Sequence, residues 1–140
     1  YTSGLPIGAN IYAIKTKALK VVCKVKEEVD TEIWGNLINQ PKIFNIKRVD
    51  VEKKYKNNEY RMTLDEISDY KFLSRIYKMF PKEGVVDILE TYRYLEKNPK
   101  VSSLNKMVVQ KDLDSDTKKR ISDFYKKNHK KILNLKKKIY

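Results

Sequence analysis

The chain has few of the residues that cross-link or punctuate proteins. Its 140 residues include one cysteine, one histidine, four glycines and four prolines. The single Cys23 cannot form an internal disulfide, so we expect a small core residue in a reducing cytoplasm. His129 stands alone among basic residues and does not predict a metal site. No signal peptide is visible, and no run approaches the roughly 18 apolar residues of a membrane span, so a transmembrane protein is not expected.

Glycine is too scattered to form a phosphate-binding loop. The four glycines are Gly4, Gly8, Gly35 and Gly84, and together they are too scattered to form a phosphate cradle. A self-contained nucleotide-binding domain of the glycine-rich type is therefore not predicted from this chain.

Acidic residues are scarce relative to basic ones. The chain carries 31 lysines and arginines against 18 aspartates and glutamates, a formal net charge of +13 at pH 7. Residues 111–140 hold 11 of the basic residues and 4 of the acidic ones. Such a balance favours contact with phosphates or nucleic acid but does not reveal the fold. A basic nucleic-acid-binding module is one hypothesis, supported also by ten tyrosines and by the lysine-rich tail.

The tail, residues 109–140, is expected to be a basic amphipathic helical extension. Acidic residues at its start suit the positive end of a helix dipole, and basic residues crowd its C-terminal end. A stripe of this kind also suits docking to a partner or to a membrane surface. The apolar positions of the stripe are Ile121, Phe124, Tyr125, Ile132, Leu135 and Ile139.

The segment Glu59–Tyr77 changes its apolar period part way along. Tyr60, Met62 and Leu64 alternate with polar residues, which predicts a strand, and from Ile67 onward the apolar spacing becomes helical. Asp65 lies at the junction. Ligands of open α/β sheets gather at the carboxyl ends of strands, so Asp65 is a candidate site residue. The same spacing also fits a helix cap, either Asp65 itself or a capping box of Thr63 with Glu66.

The rest of the first 108 residues predicts further strands and helices. Strands are expected at 10–15 and 43–49, and helices from Thr16, from residue 30 to Pro41, and over 85–97. Strands alternating with helices predict an α/β domain.

Three segments, in order, resemble the cytidylyltransferases that activate acidic sugars. Residues 61–69 (Arg-Met-Thr-Leu-Asp-Glu-Ile-Ser-Asp) resemble that family's strand–Asp–helix segment, which reads roughly Arg-Leu-Thr-Val-Asp-x-x-x-Asp-Phe. Residues 5–19 resemble its Pro-x-Gly, strand and Ala-Leu helix, and residues 30–35 resemble the acidic helix start that follows. Val101–Asn105 resembles its closing Leu-Asn turn. The family includes the acylneuraminate, 3-deoxy-manno-octulosonate and spore-coat polysaccharide cytidylyltransferases.

The resemblance implies the C-terminal half of a Rossmann-like nucleotidyltransferase domain, residues 1–108, with a partial mixed sheet and flanking helices. It implies transfer of CMP from CTP to an acidic sugar, with release of pyrophosphate, in cell-surface polysaccharide synthesis. The family's nucleotide-binding loop lies before the matching region, so we expect this chain to be inactive alone. Mg²⁺ is the implied cofactor, and Asp65 is its implied ligand.

The resemblance also implies a sugar site. Asn10 and Tyr12 occupy the strand that borders the sugar in the family, and Asp30 and Glu32 occupy the acidic helix start that approaches it. Arg61 is a candidate for the sugar carboxylate, because guanidinium binds carboxylate bidentately, although pairing with an acid of the chain is an equal alternative. The octulosonate branch tends to have a histidine before the Tyr12 strand, and residues 8–12 contain none. Which sugar is activated therefore stays open.

A half-sheet with an unpaired strand edge tends to associate. The sequence therefore predicts that this chain pairs with a nucleotide-binding half or with a second copy of itself as a homodimer.

Overall fold

The computed structural model describes residues 1–27, 33–80 and 84–140. The chain divides into two compact units, each built from two separate stretches. Unit 1 contains Tyr1–Tyr12 and Arg48–Gln110, and unit 2 contains Ala13–Lys47 and Lys111–Tyr140. The tail therefore belongs to a unit with residues 13–47, whereas the sequence predicted a separate extension after residue 108.

About half of the residues are helical, and the sheet is small. In chain order the described residues form β1 (Thr2–Ser3), α1 (Thr16–Val25), α2 (Gly35–Ile38), β2 (Val49–Asp50), α3 (Ile67–Tyr77), α4 (Ile88–Lys97), α5 (Pro99–Ser102), α6 (Ser115–Lys127) and α7 (His129–Ile139). A single 3₁₀ turn, Lys53–Tyr55, follows β2. The chain is thus an α/β protein in the coarse sense, with helices predominating.

Unit 1 contains the sheet. Strands β1 and β2 pair in parallel, with Thr2 opposite Val49 and Ser3 opposite Asp50. An isolated parallel bridge joins Ile7 to Arg61. The core of the unit lies between α3 and α4, where Phe72, Ile76 and Leu95 are buried. Phe72 and Ile76 are four residues apart in α3, which is the helical spacing that the sequence predicted.

Unit 2 is helical in its described part. Helix α1 contributes Ala18, Val21 and Val22 to a core completed by α2, by a turn at Ile43–Phe44, and by α6 and α7. The stripe residues Ile121, Tyr125 and Ile132 are buried in this core. Since Ile121, Tyr125 and Ile132 pack inside unit 2, these three positions do not form the exposed docking or membrane-facing surface that the sequence suggested.

The three predicted strands are absent or reduced to single paired residues in the described part of the chain. Of Tyr60–Leu64 only Arg61 is paired, through its isolated bridge to Ile7. Segment 10–15 forms no strand ladder: Thr2 donates its N–H to the Ile11 carbonyl at 2.9 Å, and its hydroxyl accepts from the Ile11 N–H at 2.8 Å. Ile43 and Phe44 lie in a turn and bond to Gln40, so only Val49 of the predicted 43–49 strand is extended and paired. An apolar run predicts that its side chains are buried, but it does not predict that its backbone pairs with another strand. A buried turn is compatible with the same run of side chains.

Two further predictions, one about Cys23 and one about the tail, are wrong. Cys23 is exposed, because the inward face of α1 is formed by Ala18, Val21 and Val22 instead. The tail is two helices rather than one, since α6 ends at Lys127 and α7 begins at His129, with Asn128 between them.

Candidate functional site

The candidate site lies at the junction between the Ile7–Arg61 bridge and the start of α3. Met62 donates its backbone N–H to the Ile7 carbonyl at 2.6 Å. Gly8, at φ +92°, lies so close that a Cβ there would be 2.6 Å from the carbonyl carbon of Met62 and the nitrogen of Thr63. The loop before residue 12 is thereby held against the segment that leads to Asp65.

Helix α3 begins with a capping box of Glu66 and Asp69, three residues later in the chain than the Thr63–Glu66 box that the sequence predicted. Glu66 is the N-cap, its side chain accepts from the backbone of Asp69, and Asp69 accepts in return from the Glu66 N–H at 3.0 Å. Asp69 also accepts from the Asp65 N–H at 3.1 Å. Asp69 thus satisfies two of the N–H groups that a helix start leaves without intrahelical partners. Asp65 is not the cap.

Arg61 is buried and each of its guanidinium nitrogens has a partner. Its Nε donates to Asp69 at 3.1 Å, and a terminal nitrogen donates to Oδ2 of Asp65 at 2.5 Å. The other terminal nitrogen donates to the side-chain oxygen of Gln110. This environment favours the second of the two roles expected for Arg61, pairing with an acid of the chain. A sugar carboxylate would have to displace one of these partners.

Asp69 is the centre of the cluster and is fully buried. Burial raises the pKa of its carboxyl, but hydrogen bonds from Asn105, Arg61 and two backbone N–H groups lower the pKa by more, so that it lies below the ordinary value of 3.8. The carboxylate is therefore charged at neutral pH, opposite the buried guanidinium. A buried charge pair is stable only when its remaining hydrogen bonds are satisfied, as they are here.

Asp65 is the exposed member of the cluster, and 52% of its side-chain surface is accessible. Its Oδ2 accepts from Arg61 and, at 2.9 Å, from the Thr63 hydroxyl. Its Oδ1 has no hydrogen-bond donor among the described residues. One carboxylate oxygen is thus fixed in direction while the other faces solvent. An open carboxylate oxygen is the kind of ligand that Mg²⁺ takes singly when phosphate oxygens and water supply the rest.

A self-sufficient metal site is not present in the described part of the chain, where no three His, Cys, Asp or Glu residues come together to hold an ion. Asp69, the nearest other carboxylate, is fully occupied by its hydrogen bonds. A metal held by Asp65 would therefore depend on ligands from elsewhere, such as a bound nucleotide.

The predicted sugar-site residues are placed as follows. Asn10 lies in the loop held by Gly8 and donates to the Leu5 carbonyl at 3.2 Å, while its buried Oδ1 has no partner among the described residues. Tyr12 is exposed and stacks on Tyr1, with ring centroids 5.6 Å apart. Asp30 and Glu32 lie outside the described residues. Among the four predicted residues that the structure describes, Arg61 and Asp65 are in direct contact.

Three residues of the cluster were not predicted as site residues: Asp69, Asn105 and Gln110. Asp69 was visible as the second aspartate of the quoted Asp-x-x-x-Asp pattern, and Asn105 as the end of the Leu-Asn turn. Nothing in the sequence marked Gln110 as a site residue, because a single glutamine in a loop matches no sequence motif.

Neither a scan of protein-family models nor searches of curated proteins and of solved structures found a match to this chain. No helix in the described ranges combines the length and the apolar character needed to cross a membrane.

Proposed function

We propose that this chain is the C-terminal half of a sugar cytidylyltransferase of the Rossmann-like nucleotidyltransferase fold, acting in the cytoplasm in cell-surface polysaccharide synthesis. The observation that supports it best is the position of Asp65. This carboxylate lies four residues after the isolated Ile7–Arg61 parallel bridge and two residues before α3, and about half of its side-chain surface is exposed. Open α/β sheets bind their ligands beyond the carboxyl ends of parallel strands.

In the proposed reaction a sugar hydroxyl attacks the α-phosphate of CTP and pyrophosphate leaves. Bound Mg²⁺ would neutralise charge on the phosphates. The part of this chain is to hold Asp65 in one direction through Arg61 and Thr63. Alignment of this kind is the main contribution that a protein makes to such a transfer.

The acidic sugar would lie beside the loop that carries Asn10 and Tyr12. The unpartnered Oδ1 of Asn10 is an acceptor that a sugar hydroxyl could satisfy after a small rotation of the side chain. Asp30 and Glu32 remain predicted sugar ligands from the resemblance.

The proposal is tested with the polypeptide encoded by the complete reading frame. Pyrophosphate release is measured with CTP, Mg²⁺ and a panel of acidic sugars, including N-acetylneuraminate and 3-deoxy-manno-octulosonate. We expect release with at least one sugar, and Asp65→Asn should lower kcat/KM at least tenfold. Glu59→Gln, an exposed carboxylate two residues before Arg61, is the matched control and should leave the rate unchanged. Equal rates in the two variants would refute the role of Asp65.

A second candidate function rests on charge. Unit 2 contains 18 basic and 8 acidic residues, so it carries +10 of the net +13. A surface of that charge favours a nucleic-acid backbone. Fluorescence anisotropy with a labelled 20-nucleotide single strand, at salt concentrations from 50 to 200 mM, tests this function. Binding that persists at 150 mM salt would favour it over the enzyme, and binding lost by that point would disfavour it.

A further inference from the structure

Unit 2 contains a cavity of about 760 Å³. It is lined by the C-terminal end of α1 and by α6 and α7, and its apolar lining comes from Val25, Phe124, Ile132 and Leu135. This volume lies in the range of about 300–1,000 Å³ that is typical of small-molecule sites, and the lining also includes polar side chains, among them Asn128 and Asn134. The cavity shares no residue with the cluster around Asp69.

Four lysines surround this apolar lining, and we call the whole the lysine-rimmed cavity. Lys24 and Lys26 come from the end of α1, and Lys131 and Lys138 come from α7. Lys131 and Lys138 are seven residues apart, which places them two turns apart on the same face of the helix. The lining includes one acid, Glu27, so the rim carries an excess of three positive charges.

The combination of lining and rim selects for one class of ligand. A fully hydrated polyanion would satisfy the lysines but would leave the apolar lining without a partner. A neutral apolar molecule would fill the lining but would crowd four ammonium groups without neutralising them. A molecule with an apolar body and an anionic head satisfies both parts.

We propose that the lysine-rimmed cavity binds a small amphipathic anion: a carboxylate, sulfonate or phosphate attached to an aryl or acyl body. The anionic head lies among the lysines, and the body packs against Phe124 and Leu135. The positive field of unit 2 raises the local concentration of such anions and speeds their association. This site is independent of the function proposed for unit 1.

The test uses the intact chain and the fluorescent probe 1-anilinonaphthalene-8-sulfonate, which is itself an aryl sulfonate. We expect saturable enhancement of its emission at one site. The double variant Lys131→Glu/Lys138→Glu should weaken binding at least tenfold. The matched control is Lys130→Glu/Lys137→Glu, which reverses the two neighbouring lysines of α7 that do not line the cavity. It makes the same change in net charge and should alter binding less than twofold.

Further measurements locate the site and define the ligand. Leu135→Gln should weaken binding severalfold without changing the charge, which locates the apolar body. Displacement of the probe by dodecanoate identifies an acyl ligand, and displacement by 1-naphthyl phosphate identifies an aryl ligand. Each variant is first checked by its urea midpoint, since the probe also binds partly unfolded chains. Lys131→Gln/Lys138→Gln replaces the reversal if that variant does not fold.

Equal weakening by the two double variants would overturn the proposal, because the probe would then respond to the overall field of unit 2. Absence of saturable binding would also overturn it. Displacement by inorganic pyrophosphate or a single-stranded oligonucleotide, but by neither amphipathic anion, would assign the surface to polyanions instead.

Discussion

The carboxylate of Asp69 accepts a hydrogen bond of 2.8 Å from the side-chain amide of Asn105, 36 residues further along the chain. The same amide nitrogen donates to the backbone carbonyl of Arg61 at 2.9 Å. Asn105 thus joins the start of α3 to the segment before it. Because all three residues are buried, water cannot replace a partner that is lost. We therefore expect this cluster to be the part of unit 1 most sensitive to polar substitution.

Asp69→Ala should destabilise the protein by about 3–5 kcal/mol, because it leaves a buried guanidinium and two helix N–H groups without their partner. The free energy of unfolding in urea measures the loss. Asp65→Ala removes the half-exposed carboxylate that contacts the same guanidinium and should cost about 1 kcal/mol or less. Similar losses of unfolding free energy in the two variants would show that the pairing of Arg61 with Asp69 is not the main interaction that stabilises this cluster.

Asn105→Asp tests the amide without changing the size of the side chain. At pH 7 it places a second carboxylate against Asp69 and removes both amide hydrogen bonds, so we expect a loss of more than about 2 kcal/mol. Asn58→Asp makes the same chemical change at an exposed loop position and should stay within about 0.5 kcal/mol. Urea unfolding at pH 7 compares them, and a loss at residue 105 no larger than that at residue 58 would contradict the assigned bonds.

Acid should weaken the Asp69 contribution in a defined direction. The folded pKa lies below the ordinary 3.8, so as the pH falls the unfolded chain takes up the proton first. The stabilisation is fully present above the unfolded pKa and is lost as the pH falls through the folded pKa. Urea unfolding at a series of pH values from 7 to 2.5 should therefore show the difference between wild type and Asp69→Asn narrowing below about pH 4. A constant difference would mean that another group carries the acid sensitivity.

The helices could be predicted from the sequence, whereas the pairing of strands could not. Phe72, Ile76 and Leu95 show the local spacing of an amphipathic helix, which neighbouring residues alone determine. Strand pairing depends on partners far along the chain. Ile11 and Tyr12 read as a buried strand, yet both are exposed, and the segment forms no strand ladder.

The candidate site was predicted in part for a similar reason. Alternation across Tyr60–Leu64 pointed the apolar residues inward. Tyr60 and Met62 do pack against the unit 1 core, but Arg61 is the buried side chain, and Leu64 is 63% exposed. A buried arginine is compatible with the fold only because Asp69, Asn105 and Gln110 come to it from 8 to 49 residues away. Local periodicity does not predict that convergence. The change of apolar period pointed to Asp65, and the resemblance was what showed Asp69, as the second aspartate of its pattern.

Gly8→Ala should disrupt the junction that carries Asp65. The position has φ +92°, and the new Cβ would lie 2.6 Å from the backbone of Met62 and Thr63, where no flexible side chain can yield. We expect the free energy of unfolding, measured in urea, to fall by about 3 kcal/mol or more, because the backbone strain and the clash add together. Gly35→Ala is the control, because nothing lies within 4 Å of its new Cβ, and it should be neutral or slightly stabilising. Equal effects at both positions would contradict the close approach of Gly8.

The hydrogen bond of Tyr125 provides a test of the unit 2 core. Tyr125 is buried and donates its hydroxyl to the Leu37 carbonyl at 2.7 Å, so Tyr125→Phe should cost about 1 kcal/mol near pH 7 by leaving that carbonyl unpaired. The exposed Tyr77→Phe should change the free energy of unfolding by less than about 0.5 kcal/mol.

Burial raises the pKa of Tyr125 from 10.0 to about 12. The unfolded chain therefore loses this proton first as the pH rises, and the stability held by the neutral phenol is complete below pH 10 and disappears between about pH 10 and 12. Phenylalanine at this position has no proton to lose. The wild type should accordingly lose its advantage over Tyr125→Phe across that interval, as followed by urea unfolding at pH 8, 10 and 11. Parallel curves over the whole range would place Tyr125 in contact with solvent rather than in the core.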